Sequence, residues 1–505
     1  VQATRDWLQA QGVQPGDAVM IQGANRPEWL FVDWALLALG AISVPIYMGS
    51  PEEEVLYIHQ ETNAKWMISD ELPSGVVGCS WKTLQEGFTS LLNQSTHALT
   101  CPFVPEDCVT IIYTSGTQGR PKGVMHSLHN LSEGFHRAQE RGRFSSRDRI
   151  LSYLPLSHIA ERALVGLGAL YEGVQIVFLN RVELLAKALP LVRPTVFFTV
   201  PRVWELFRTR VEKELSSPLA QRRIAAIPFF LRPWLVGRMV RKKLGLDRAR
   251  FCFSGAAKLY PDTSKALAQW GIVVHEAYGL TETMAISTLS EMGRPLAGSC
   301  GKPYSDVQIK IAPDGEILLK APFHFLGYYK QKELTDEVIQ DGWFATGDVG
   351  HVDAQGNLHI TDRKKSLFKT SGGKYVAPLV AESLLKQCAL VKEAVVFGEN
   401  KDYCVALVQV DRAEWSMATL VVHLKRLNRK LAAHEQIKKV GVVAEDWSIQ
   451  SGDVTPSFKL KRHRILAKYK NCIEWLYESQ VEIVELAALA DEAEPVPAKG
   501  VSGSC

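Results

Sequence analysis

The chain has 505 residues, 46% of them hydrophobic and 22% charged. That length exceeds what one hydrophobic core serves, so two or more domains are expected, and the composition excludes a disordered or fibrous protein. The net charge of +4, from 58 basic and 54 acidic residues, is too small an excess to argue for a nucleic-acid partner.

Nine cysteines carry no Cys-x-x-Cys pair. An odd number without paired spacing points to a reduced, cytoplasmic compartment, not to a disulfide framework or a zinc site. No signal peptide is visible. The chain opens on Val1, and a helical pattern already runs from Thr4 to Gln11, so the natural N-terminus is expected upstream.

From residue 1 to about 105, helical and strand patterns alternate. Asp17–Gly23 reads as a strand, and Arg26–Leu39 has helical spacing with Pro27 in its first turn. Trp29–Met48 is a long apolar run, but Asp33 and Gly40 interrupt it and Pro45 ends it. A buried helix followed by a strand over Ala41–Ile46 fits better than a membrane span. Lys65–Ser69 is a further short strand. The alternation predicts an α/β layered domain with largely parallel strands.

Val109–Tyr113 reads as a buried strand, and it runs into Thr114, Ser115, Gly116, Thr117, Gly119 and Lys122. Glycines let a loop approach a ligand closely and turn its backbone N–H groups inward. Hydroxyls add short donors, and lysine adds a point charge. A phosphate chain needs those three together. The common nucleotide P-loop is excluded, because Pro121 stands where its second glycine belongs.

The loop resembles the signature of the adenylate-forming superfamily, which includes acyl-CoA synthetases, luciferases and peptide-synthetase adenylation domains. That pattern is Tyr-Thr-Ser-Gly-Thr, two or three variable residues, then Pro-Lys-Gly, and every fixed position is met. The resemblance implies that this loop holds the β- and γ-phosphates of ATP, with Thr117 also near Mg²⁺.

Farther along, Leu154-Pro155-Leu156-Ser157-His158 follows a short strand. A lone histidine is more often a packing or surface residue. In the family the matching position lies beside the acyl carboxylate and the path of the thiol, so His158 is assigned there on the local match. Residues 174–179 and 195–200 read as buried strands, and Pro201-Arg202-Val203-Trp204 opens a helix. Residues 221–250 interleave Arg222, Arg223, Arg232, Arg238, Arg241, Lys242 and Lys243 with Phe229, Phe230, Leu231, Trp234 and Leu235. Pro228 and Pro233 prevent one continuous helix. A solvated surface excursion explains this segment; so does a peripheral contact with an anionic membrane.

Phe251–Lys258 is a strand running into a turn of small residues, and Gly255, Ala256 and Ala257 permit a flat ligand to lie against backbone. Gly271–His275 reads as the next strand. It leads into Glu276, Ala277, Tyr278, Gly279, Leu280, Thr281 and Glu282. These supply an aromatic face for a base, a hydroxyl for phosphate and a carboxylate for Mg²⁺. They also match the family's Tyr-Gly-Leu-Thr-Glu motif at every position.

Asp348 and Arg363 make a reasonable ribose clamp, an acceptor for two hydroxyls with a cation nearby; the family uses the matching pair so. The run 341–382 closely resembles the signature of long-chain fatty acyl-CoA synthetases, with Asp362-Arg363-Lys364-Lys365, Lys369 and Gly373-Lys374-Tyr375-Val376-Ala377-Pro378 its most diagnostic part. Leu379-Val380-Ala381 departs from the acidic and basic residues usual before Glu382. The resemblance implies a pivot at Lys365 and a coenzyme A face at Ser371, Gly372 and Gly373.

Beyond 362–365, short alternating elements predict a small, mobile α+β domain: strands at Ala394–Phe397, Cys404–Val410 and near 440–443, and a helix near 417–435. Thr455–Arg462 resembles the family's C-terminal catalytic segment. Phe458 stands where glycine is usual, a departure common in the long-chain branch. The catalytic role is assigned to Lys459, with Lys461 as runner-up; a basic solvated loop is the plainer explanation. The expected division is therefore 1–362, 363–480 and a disordered tail over 481–505. The resemblance covers about residues 5–475. It implies activation of a long-chain fatty acid by ATP and Mg²⁺ through an acyl-adenylate, with coenzyme A as acceptor. Transfer to an acyl-carrier protein, and an inactive relative that only binds acyl chains or AMP, remain as alternatives.

Overall fold

The computed structural model describes residues 1–92, 99–114, 120–388, 390–412, 415–448, 451–454 and 460–486. Two compact units divide the chain. The first comprises Val1–Lys310, Leu318–Thr346 and Val352–His359; the second comprises Ile311–Ile317, Gly347–His351 and Ile360–Cys505.

Two seven-stranded sheets organise the first unit. In the first sheet the strands lie in the order Gly327–Tyr328, Lys122–Ser127, Cys108–Thr114, Ile42–Ile46, Ala18–Gln22, Trp66–Ile68 and Gly78–Cys79. Its N-terminal strands pair in parallel, as their alternation with helices requires. The chain then departs from the parallel expectation. Cys108–Thr114 and Lys122–Ser127 pair antiparallel, because only a short loop joins them, and Gly327–Tyr328 closes that edge antiparallel too.

The helix Pro27–Leu39 has Pro27 in its first turn and Gly40 at its end with φ of 80°, a conformation that spares a Cβ. Asp33, the charge that interrupts its apolar run, is buried and ion-paired with buried Arg162 at 2.6 Å. The pair shields both charges from an apolar surround, and Arg162 also donates to the Thr110 hydroxyl at 2.6 Å. No described helix is long and apolar enough to cross a membrane.

The second sheet runs Lys302–Pro303, Thr288–Leu289, Val274–Tyr278, Phe251–Ser254, Val196–Thr199, Arg149–Ser152 and Gln175–Phe178. Two sequence expectations change here. Gln175–Phe178 is the edge strand and alternates exposed with half-buried positions, so its apolar composition did not signal full burial. The strand expected at Gly271–His275 is Val274–Tyr278, displaced because Gly271 takes φ of 73° and ends the preceding helix turn. The shift puts Glu276, Ala277 and Tyr278 on the strand itself.

In the second unit, Val391–Phe397, Cys404–Val410, Ile437–Val443 and Ile483–Leu486 form a four-stranded sheet, antiparallel at the first pairing and parallel afterwards. Successive side chains point to opposite faces. Ala406, Val408 and Val440 pack with Leu385, Leu420 and Leu424 on one side, and Val405 and Leu407 pack with Ile465, Cys472 and Leu476 on the other. The strand Cys404–Val410 is therefore buried along its whole length. The helix expected over 417–435 ends at Asn428, whose side chain turns to bond the backbone of Ile437.

Candidate active site

The strand Lys122–Ser127 carries Lys122, Val124 and His126 on one face, as period-two alternation requires. Two of the three engage the turn at residues 281–283. Lys122 Nζ lies 3.0 Å from Glu282 Oε1. His126 Nε2 lies 2.8 Å from the Thr281 carbonyl oxygen. Burial pushes the His126 imidazole down to about 4, so the ring is neutral and its Nε2–H donates to that carbonyl. The motif turn is thus pegged to the strand that begins at Lys122.

Tyr328 completes the cluster. It pairs with Val124 across the sheet edge. Its hydroxyl donates to Glu282 Oε1 at 2.7 Å and accepts from the Lys122 ammonium. Lys122 Nζ also stands 4.0 Å from the centre of the Tyr328 ring. Burial pushes the Glu282 carboxyl up, but the Lys122 charge and the bonds from Tyr328 and Lys122 outweigh it, so the group lies below its ordinary value and is ionised. Burial and the Glu282 charge raise the Tyr328 phenol, which stays protonated. Sequence reasoning found Lys122 and Glu282 and missed Tyr328. The signal lay in Gly327-Tyr328-Tyr329, which has no charged residue and no loop of its own to mark it.

Gly279 sits in this turn where a Cβ would lie 2.2 Å from the Ala285 carbonyl carbon, so only glycine fits. Tyr278 is buried at the end of its strand. Glu276 is buried on the strand and its side chain is engaged by backbone. Its carboxylate accepts from the backbone N–H groups of Leu259 and Gly298, both at 3.3 Å. Burial pushes it up to about 7 against those donors. Glu276 therefore braces two loops. One of them holds Gly255, Ala256 and Ala257. Ala256 takes φ of 65°, uncommon for a residue with a Cβ.

His158 accepts a hydrogen bond at Nδ1 from the Ala160 N–H at 3.2 Å and caps the helix it precedes. A π-helical turn follows over Arg162–Leu167, a form often found at functional sites. Ser115, Gly116, Thr117 and Gly119 lie outside the described residues.

Within the second unit, Arg363 Nε meets Asp348 Oδ1 at 2.8 Å, and Asp348 is buried. The structure thus brings these two residues together. Lys365 lies in the short turn Lys364–Ser366, where its neighbour Lys364 bonds Asp314 at 2.7 Å and Glu316 at 2.6 Å. Ser371, Gly372 and Gly373 form the turn of a hairpin between Phe368–Lys369 and Tyr375–Val376. The Ser371 hydroxyl donates to Asp402, and Gly373 has φ of 72°. Lys461 precedes the helix Arg462–Lys468, and its N–H bonds the Asp453 carbonyl at 2.8 Å. Lys459 lies outside the described residues.

Among the described residues no group of three or more His, Cys, Asp or Glu side chains could hold a metal alone. A single ionised carboxylate such as Glu282 is nevertheless the donor set Mg²⁺ takes when substrate phosphates complete its shell. The residues present fit that use.

Comparison with known proteins places the chain in a family. Residues 1–329 match the model of the AMP-binding enzyme family, and residues 366–481 match that of the AMP-binding enzyme C-terminal domain. The chain is 31% identical to the long-chain-fatty-acid–CoA ligase FadD15 of Mycobacterium bovis, over 93% of this chain and 89% of that protein. It is also 31% identical to the peroxisomal long chain acyl-CoA synthetase 7 of Arabidopsis thaliana, over 99% and 82%. Among solved structures, ATP-bound MatB from Rhodopseudomonas palustris superposes with a TM-score of 0.75 at 26% identity, covering 93% of this chain and 92% of that one. The anthranilate CoA ligase AuaEII, at 21% identity and a TM-score of 0.78 over 94% and 91%, shares the fold. The chain belongs to the AMP-binding enzyme family, with both the large AMP-binding part and the C-terminal domain of that family present in order.

Proposed function

We propose that this protein is a long-chain fatty acid–CoA ligase. It activates a fatty acid with ATP and passes the acyl group to coenzyme A. The Lys122–Glu282–Tyr328 cluster carries the reading, because it gathers a cation for phosphate and an ionised carboxylate for a metal beside the loop expected to hold the triphosphate. The names and coverage of the relatives support the substrate class.

In the first half-reaction a carboxylate oxygen attacks the α-phosphorus of ATP. The bond to the bridging oxygen breaks, and pyrophosphate leaves. In the second, the thiol sulfur attacks the acyl carbon, its proton is lost, and AMP leaves. A free carboxylate resists acyl transfer because its leaving group would be oxide; adenylation replaces oxide with a phosphate monoester. The protein contributes position and charge rather than a covalent step. Lys122 neutralises phosphate oxygens, and Glu282 would hold Mg²⁺, which supplies charge neutralisation on the departing pyrophosphate. Asp348 and Arg363 would take the ribose hydroxyls. Lys459 would bridge the carboxylate and the α-phosphate, and Ser371, Gly372 and Gly373 would meet coenzyme A. The working division is 1–362 and from 363 through the strand Ile483–Leu486, which extends past the expected end at 480, with the pivot at Lys365.

Pyrophosphate release across fatty acids, with coenzyme A and with an acyl-carrier protein, tests the reading. Palmitate and coenzyme A should give the fastest turnover, and acids shorter than roughly 12 carbons should fall away, since each buried CH₂ contributes about 0.8 kcal/mol. Acetate activated as efficiently as palmitate would remove the long-chain assignment.

A membrane contact is favoured by one surface. Phe229, Phe230 and Trp234 are 82%, 77% and 57% exposed on a short turn and the helix that follows it. Single exposed apolar residues are ordinary, but three within six positions among arginines form an apolar edge with a basic surround. Arg232 is occupied in holding the turn, donating to the Ile227 and Ala225 carbonyls. The variant with Phe229→Ser, Phe230→Ser and Trp234→Ser should bind anionic vesicles about tenfold more weakly than wild type, and wild-type binding should weaken as salt rises. Equal co-sedimentation of the two proteins would leave this segment as plain surface.

A further inference from the structure

Lys122, Glu282 and Tyr328 form a closed ring of interactions. The phenol accepts from the ammonium and donates to the carboxylate, and the ammonium also reaches the same carboxylate oxygen. A phenol has one proton to give, and here it goes to Glu282 Oε1. The ring lies inside a packed cluster: Tyr328 is buried with Val124, Phe325 and Phe344. The Phe325 N–H donates to the Glu282 carbonyl at 2.9 Å, and the Leu326 N–H to the Met125 carbonyl at 2.9 Å. Backbone bonds therefore fix the strand that carries Tyr328 against both the turn and the strand carrying its partners.

This arrangement raises a physical difficulty for the proposed reaction. A buried carboxylate needs a cation, and Lys122 is that cation here. A triphosphate entering beside Lys122 competes for the ammonium, so Glu282 must be left buried without it unless another positive charge arrives. During that exchange the hydrogen bond from Tyr328 is unaffected, because a neutral phenol does not follow the phosphate.

We propose that Tyr328 is a positioning residue for metal–nucleotide binding: it holds the Glu282 carboxylate in place while Lys122 changes partner from that carboxylate to the incoming phosphates. The lysine serves as a resident stand-in for the divalent cation, and the phenol keeps the carboxylate aimed when the stand-in leaves. This rests on the reading of the chain as an ATP-using ligase. Hydrogen-bond partners of metal-binding side chains commonly change metal affinity by about 10–100-fold when removed.

The test is calorimetric binding of ATP to the whole protein across Mg²⁺ concentrations, without fatty acid or coenzyme A. Tyr328→Phe keeps the ring, its packing and the approach of Lys122 to the ring face, and removes the hydroxyl with its bonds to Glu282 and Lys122. Wild type should bind ATP more tightly as Mg²⁺ rises. Tyr328→Phe should need at least tenfold more Mg²⁺ for the same gain, while its affinity for Mg²⁺-free ATP stays within twofold of wild type. Combining Tyr328→Phe with Glu282→Gln should add nothing to the loss seen with Glu282→Gln alone. An unchanged Mg²⁺ requirement, or equal weakening with and without the metal, overturns the inference. Failure of the ligase reading looks different: wild type then binds ATP with Mg²⁺ yet releases no pyrophosphate from any fatty acid.

Discussion

Glu282→Ala should reduce acyl-adenylate formation by about 10²- to 10³-fold, the scale seen when one preorganised electrostatic contact to a reacting group is removed. The substitution removes the carboxylate on which Lys122 and Tyr328 converge and leaves no described cluster able to hold a metal in its stead. Its effect on folding should be smaller. Lys122 keeps 23% of its side-chain surface in water and can be solvated. The Tyr328 hydroxyl is deeper and loses its acceptor, which costs about 1–3 kcal/mol. Glu282→Gln separates charge from shape. It can still accept from the phenol, so its melting temperature should approach wild type while adenylation stays low. Stopped-flow measurement of pyrophosphate release, with thermal melts of all three proteins, checks this. Wild-type rates in Glu282→Gln would show that the carboxylate charge is not used.

Asp348→Ala belongs to a different class of effect. It removes an acceptor and unpairs Arg363, which is half exposed and loses little in water. The loss should fall on ATP affinity more than on the chemical step.

What the sequence revealed, and what it hid, follows from how each feature is written into the chain. Lys122 and Glu282 were legible because each stands in a dense run of glycines, hydroxyls and charges, and such a run has few uses besides a ligand. Tyr328 was hidden because its importance is tertiary. The pairing of Gly327–Tyr328 with Lys122–Ser127 brings it to residues about 50 and 200 positions away, and nothing local announces a sheet edge two residues long. Glu276 was legible only as part of the run that leads into the Tyr278–Glu282 motif; that its carboxylate joins the loops at Leu259 and Gly298 is set by strand register, which no local pattern shows. Gln175–Phe178 shows the same limit for fold. Apolar composition identifies a strand, but whether that strand is central or at an edge depends on the order in which strands assemble. Asp33 illustrates a gain from structure. In sequence it only interrupts a helix; in the fold it is the buried partner of Arg162.

Lys459→Ala should abolish adenylation while sparing the thiol step. Negative charge gathers between the substrate carboxylate and the α-phosphate only as the adenylate forms, and a point cation there matters most at that stage. A loss of about 10²- to 10³-fold in adenylate formation is expected, against a change below about threefold in thioester formation from synthetic acyl-adenylate. Lys461 provides the control. Its backbone is engaged with Asp453 at the head of a helix, and Lys461→Ala should leave both half-reactions near wild type. Lys365→Pro should show the opposite pattern to Lys459→Ala. Proline fixes φ near −65°, and a stiffened pivot should slow the step that follows adenylation. Single-turnover kinetics of each half-reaction for the three variants decide the matter. Equal impairment of both steps by Lys459→Ala, or an adenylation defect carried by Lys461→Ala instead, would move the catalytic cation away from position 459.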